Sequence, residues 1–247
     1  NSGEIQFLQV SGTEVINGDL SGLDLVMIAA PFSSFVQQLL ARPEIKSATD
    51  LKGKKIGVSG AANADGLTVE YVLRKNFNMV PKTDYTMVPL ADPRAKLAAL
   101  RQGQIDAELE TQPTTIYAVQ QGMTVVVDLA RSNIPFAAAG LVATRRSLKA
   151  NPDLARRVVS GYVAALKGYK ERPADAKAAI KKYSKIDDDA IIDKTYEYHA
   201  GILNIPPLPV EAAFQTALTM LEPTKPEAAK ANPSDFFDAS LVKAAAG

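Results

Sequence analysis

The chain has 247 residues, 47% hydrophobic and 22% charged, enough for one large or two small domains around a sizeable core. Its 28 Lys and Arg against 27 Asp and Glu leave a formal charge of +1 with no basic block, which argues against nucleic acid or an anionic membrane as the main partner. Cys is absent and His occurs once, so disulfides, thiolate nucleophiles and zinc fingers are excluded, and a Ser-His-Asp triad could draw only on His199.

Two strands, over residues 5–10 and 23–29 with a short helical stretch between them, open the chain. The run Leu25-Val26-Met27-Ile28-Ala29-Ala30 is far below the ~18–20 apolar residues of a membrane span. No signal-peptide core follows Asn1-Ser2-Gly3, so any export signal is expected to be already removed or never present. From residue 54 to 128 the pattern alternates. A strand over 55–59 precedes a helix over 67–77 whose apolar positions are Val69, Val72, Leu73 and Phe77. A strand over 85–89 follows, then a helix capped by Asp92-Pro93 and stopped by Gly103. Next come a strand over 105–109, a helix over 114–121 closed by Gly122, and a strand over 124–129. Short strands separated by helices predict βαβ crossovers and a parallel sheet.

One more strand is predicted over 138–144, and then only helices. Asn151-Pro152 opens a long one with apolar positions Leu154, Val158, Tyr162, Leu166 and Tyr169; others begin near Pro173, Asp187 and Pro209. Helices without strands need a sheet to cover, so they are expected to pack on the N-terminal strands and on 138–144. The path is then one domain, a second, and a return to the first. Ser2-Gly3-Glu4-Ile5-Gln6 and Gln102-Gly103-Gln104-Ile105-Asp106 echo each other, as two similar lobes would.

Ligands of parallel α/β sheets bind beyond the carboxyl ends of the strands, where helix N-termini offer unpaired N–H groups. Three turns fit. In Ser59-Gly60-Ala61-Ala62-Asn63-Ala64-Asp65-Gly66 the small residues admit a ligand to the backbone, while Ser59, Asn63 and Asp65 offer hydrogen bonds; a plain cap at Asn63 or Asp65 is the competing reading. The turn is neither a Walker loop nor a dinucleotide fingerprint. Glu110-Thr111-Gln112-Pro113-Thr114-Thr115 is the second, with a Thr111 or Thr114 cap as its alternative, and Ser11-Gly12-Thr13-Glu14 the third, with a Thr cap. Glu14, Asp65 and Glu110 would suit an amine better than a bare anion. Asp187-Asp188-Asp189 lacks the Gly and downstream Glu of a calcium loop and reads as a solvated helix start. His199 reads as an exposed or capping side chain.

The stretch Ala48-Thr49-Asp50-Leu51-Lys52-Gly53-Lys54-Lys55-Ile56-Gly57-Val58-Ser59 resembles periplasmic substrate-binding proteins of ABC importers, in the NMT1/THI5-like group that handles aliphatic sulfonates, taurine, nitrate and pyrimidines. Val88-Pro89-Leu90, Gly103-Gln104-Ile105-Asp106-Ala107, Gly140-Leu141-Val142-Ala143-Thr144 and Phe237-Asp238-Ala239-Ser240 carry it along the chain. The resemblance implies an α/β, two-lobed type II periplasmic-binding fold, with lobe I from 1–30 plus 137–247, lobe II from 31–136, and a hinge near 29–33 and 135–139. Lobe I is expected to be N-terminally incomplete, since the strand–helix–strand–helix that precedes Ser2-Gly3-Glu4-Ile5 in such proteins is absent; an open sheet edge follows, inviting association where the complete fold is monomeric. Carried over, the ligand positions are Thr13 and Glu14 from lobe I and Ser59, Asn63, Ala64, Asp65, Glu110, Thr111 and Gln112 from lobe II. The function implied is extracytoplasmic, periplasmic or lipoprotein-tethered, capture of a small polar or anionic solute for a membrane permease, with no cofactor, metal or catalytic residue. A pyrimidine-precursor synthase of the same fold relies on a Cys-rich motif missing here, and a ligand-sensing regulator would carry a DNA-binding or membrane segment.

Overall fold

A computed structural model describes residues 5–246. In chain order the elements are β1 (Leu8–Val10), α1 (Gly12–Leu20), β2 (Leu25–Ala29), β3 (Gln38–Ala41), β4 (Lys54–Val58), α2 (Ala64–Phe77), β5 (Tyr85–Pro89), α3 (Pro93–Arg101), β6 (Ala107–Glu110), α4 (Thr114–Gln120) and β7 (Thr124–Asp128). They continue with β8 (Gly140–Thr144), α5 (Arg145–Ala150), α6 (Pro152–Glu171), α7 (Pro173–Ser184), α8 (Asp189–Ile202), α9 (Glu211–Leu221) and α10 (Ser240–Ala246). The chain divides into two units: Asn1–Phe35 with Ile134–Gly247, and Val36–Asn133. None of the helices among the described residues is long and apolar enough to cross a membrane.

The first unit is built on a three-stranded sheet, β1-β8-β2, in which β8 lies between the other two and antiparallel to both. Val159 and Val163 of α6 and Val242 of α10 pack on Val26, Ile28 and Leu141, while α1 packs on β2 and against α9. The buried stripe of α6 is Ala155, Val159 and Val163, one position on from the stripe read off the sequence. Leu154, Val158 and Tyr162 are half-buried at its side, because an apolar face wider than one row presents its smaller residues to the sheet. β1 begins only at Leu8, with Ile5 71% exposed, and the echo segment at Ser2, Gly3 and Glu4 lies outside the described residues.

In the second unit a five-stranded sheet runs in the order β5-β4-β6-β3-β7. The four strands expected there do run in one direction, but the sheet is mixed rather than parallel: β3 is inserted antiparallel between β6 and β7. Gln38-Leu39-Leu40-Ala41 is buried at every position and carries no β-branched residue, so no alternation marks it in the sequence. The third predicted strand moves from 105–109 to Ala107–Glu110. Gly103, at φ +72°, stops α3, and Ile105 fills the space beside Gly57, where a Cβ would meet its Cδ1 at 2.5 Å. Ile105 joins Leu40, Ala99, Leu100 and Ala118 in the core under α3 and α4.

Candidate functional site

Pairing places Gln38 opposite both Glu110 and Asp128, and Leu40 opposite Glu108, so these side chains share the sheet face covered by α3 and α4. Polar groups line the edge of that face at the carboxyl ends of β4, β6 and β7. Asp65, in the first turn of α2, accepts hydrogen bonds from Ser59 N (2.6 Å), Ser59 Oγ (2.5 Å) and Gly66 N (2.9 Å). The turn closes tightly enough that a Cβ at Gly66 would run into the carbonyl oxygens of Gly60 and Ala61. Asn63 stands at the N-cap, as the competing reading had it, but its side chain accepts no helix N–H and instead donates to Ser59 Oγ (3.3 Å). Ala64, the first residue of α2, is exposed.

Lys96 of α3 enters this edge as a buried cation, 6% exposed. Its Nζ lies 3.7 Å from Asp65 Oδ2 and 3.9 Å from Glu110 Oε1, and donates to the Leu109 carbonyl at 3.4 Å. Glu110 also accepts from Thr111 N (3.4 Å). Further along the edge Gln112 Nε2 donates to Gln38 Oε1 (2.7 Å), Gln38 Nε2 donates to Asp128 Oδ2 (3.1 Å), and Gln112 Oε1 accepts from Ile116 N (3.2 Å). Gln112 thus ties down the first turn of α4, whose N-cap is Pro113, so the alternative of a Thr111 or Thr114 cap does not hold.

Of the residues read from the sequence, Ser59, Asn63, Asp65, Glu110 and Gln112 come together in one row, and Thr111 joins through its backbone. Lys96, Gln38 and Asp128, which complete the row, escaped that reading. Only Lys96 carries a signal: a Lys at i relative to Ala99 and Leu100 at i+3 and i+4 sits on an apolar helix face.

Glu108 lies one layer below. It is wholly buried, and neither carboxylate oxygen has a partner among the described residues. Burial, reinforced by the neighbouring Glu110 charge and opposed by Lys96 and Arg101, pushes its pKa up to about 8, so it is protonated at neutral pH. Burial raises Glu110 as well, against the pull of Lys96 and the Thr111 N–H.

In the first unit Ser11, not Thr13, caps α1. Glu14 Oε2 accepts from Ser11 N (2.8 Å) and Ser11 Oγ from Glu14 N (3.4 Å), a capping box, with Ser11 Oγ 2.8 Å from Thr13 Oγ1. Thr13 and Glu14 therefore hold the helix start. The three carboxylates expected to favour an amine, those of Glu14, Asp65 and Glu110, all have partners inside the protein. Asp188 caps α8, accepting from Ala190 N and Ile191 N, while Asp187 and Asp189 pair with Lys181 at 2.7 and 3.2 Å. His199 is neither exposed nor capping: it is half-buried, its Nδ1 3.0 Å from the Thr195 carbonyl, and burial lowers its pKa.

A family model described as NMT1/THI5 like matches residues 1–176. No curated protein matches the chain. Among solved structures, the periplasmic aliphatic sulphonate binding protein SsuA from Escherichia coli is similar with a TM-score of 0.80 at 21% identity, covering 98% of this chain and 83% of that one. The alkanesulfonate-binding protein SsuA from Xanthomonas axonopodis pv. citri bound to MOPS gives 0.72 at 20%, over 99% and 81%. The desulfurization enzyme DSZB gives 0.70 at 14%, over 98% and 86%, so one architecture carries both binding and catalysis. With more than half of its length matched by the family model, the chain belongs to the NMT1/THI5-like family and has the type II periplasmic-binding fold.

Proposed function

We propose that the chain is the extracytoplasmic solute-binding component of an ABC importer, capturing a small polar or anionic molecule by hinge closure and passing it to a membrane permease. The reading rests on the polar row from Ser59 to Asp128, in which Lys96 and Gln38 are buried and Asp65 and Glu110 largely so. Withdrawing Lys96, Asp65, Glu110 and Gln38 from water costs free energy that an apolar edge would avoid, so their placement at the carboxyl ends of the strands makes sense as a surface for a polar guest. The start of α2 beside Ser59 adds the positive end of a helix. Sulfonate-, nitrate- and taurine-like solutes are the first candidates, since the two SsuA relatives are named for sulfonates. A binding role without chemistry fits the side chains: there is no Cys, and the one His turns its Nδ1 to a backbone carbonyl in place of a carboxylate.

A thermal-shift panel of sulfonates, nitrate, carboxylates and aminopyrimidines, with native mass spectrometry for stoichiometry, tests this. A ligand at a hundredfold its Kd stabilises by about 2.7 kcal/mol, which is readily seen as a rise in Tm. Flat shifts across the panel would overturn the reading.

A further inference from the structure

The carboxyl of Glu108 on β6 is wholly enclosed, and both of its oxygens are unpartnered among the described residues. Thr115, in the first turn of the helix that covers the same sheet face, is likewise buried with an unpartnered hydroxyl. Unmatched buried polar groups cost free energy that an apolar residue of similar size avoids, so the acid adds nothing to the stability of the sheet. What it does supply is a proton that can be held or released one layer beneath the polar row.

The charges that surround it come from few places. Lys96 and the exposed Arg101 of α3 are positive, and Glu110, two residues along β6 on the same face, is negative. Asp65 of α2 shares Lys96 with Glu110, their carboxylates standing 3.7 and 3.9 Å from Nζ. On β3 and β4 the residues paired with Glu108 are Leu40 and Gly57, which carry no charge, and β7 brings Asp128, held by Gln38. Both ion-pair distances exceed the ~2.7–2.9 Å of a close charge-assisted hydrogen bond, so neither carboxylate fully engages Lys96 and part of its field stays available to a guest at the edge. Three carboxyl groups thus depend on one buried ammonium, and a further negative charge is accommodated only while the deepest of them is neutral.

We propose that Glu108 couples capture to protons: the edge takes a negatively charged solute while Glu108 is neutral, and lets it go when Glu108 ionises. The coupling acts through the field alone, since Glu108 is enclosed and touches no solute. A bound anion makes ionisation of Glu108 harder, so the complex keeps this proton to higher pH than the free protein, which holds it to about pH 8. The bound state then carries more protons than the free state, and affinity falls as pH rises through the free protein's value. This inference rests on the solute-binding reading above.

Calorimetric titration with ethanesulfonate at pH 6, 7, 8 and 9 tests it. Affinity should hold from pH 6 to 7 and weaken about five- to tenfold by pH 9. Repeating the pH 8 titration in buffers of different ionisation enthalpy should reveal about half a proton taken up per solute bound. Glu108→Gln keeps a neutral polar group of the same shape, so it should bind at pH 7 as the parent does, with no proton uptake and no loss at pH 9. Glu108→Leu, matching Leu40 on the paired strand, should behave alike and serves if the Gln variant does not fold. A parent whose affinity is level from pH 7 to 9, or a variant that keeps the parent's loss, overturns the coupling while the solute-binding reading stands. Absence of ethanesulfonate binding at every pH removes the coupling together with the sulfonate reading of the site.

Discussion

Glu108→Gln isolates the cost of a buried acid. The folded protein holds the Glu108 proton up to about pH 8, whereas the unfolded chain releases it near the ordinary 4.5. Between those values the folded state binds more protons than the unfolded state, so stability falls as pH rises, by about 1.4 kcal/mol per unit. The contribution of the neutral acid is complete below the lower pKa and lost as pH climbs through the upper one. Gln has no proton to surrender, and every other titrating group is common to both proteins. The stability of the variant minus that of the parent should therefore grow by about 3.5 kcal/mol from pH 5 to pH 8. Urea unfolding at pH 5, 6, 7 and 8 measures it. A constant offset is expected from the unpartnered amide, so the slope is the readout; parallel stability curves would refute the reasoning.

Lys96→Met strands Asp65 and Glu110 without their shared cation and should cost about 3 kcal/mol in urea unfolding at pH 7, together with the loss of any ligand-induced rise in Tm. Gly66→Ala forces a methyl group onto the Gly60 and Ala61 carbonyls and should destabilise by about 1–3 kcal/mol, with amide exchange quickened from Ser59 to Asp65. Ser11→Ala breaks the capping box of α1 and should lower stability by about 1 kcal/mol, while Ser11→Asn should restore most of it.

Much of this architecture is legible in the sequence because hydrophobic period and punctuation agree. Gly103 stops α3 where it was expected, and Pro152 starts α6. What stayed hidden was made by tertiary context. β3 is short and buried on all sides, and its place between β6 and β7 depends on partners some 70 to 90 positions away in the chain. The site divides the same way. Turns at strand ends gave Ser59, Asp65, Glu110 and Gln112, since local backbone chemistry marks them. Gln38 and Asp128 meet only through strand register, and no spacing announces that. At Thr13 and Glu14 the turn is legible but not its inner hydrogen bonds: Glu14 closes a capping box with Ser11, and Thr13 Oγ1 meets Ser11 Oγ.

The second unit starts and finishes on neighbouring strands. β3 and β7 pair with Gln38 facing Asp128, and just outside the unit Ser34 bridges Pro135, so the chain enters and leaves it on neighbouring backbone segments. A segment anchored in this way is a cassette. It can be cut out and its ends bridged by a tight turn, or traded for the equivalent piece of a distant homologue, without breaking a backbone ladder in the remainder.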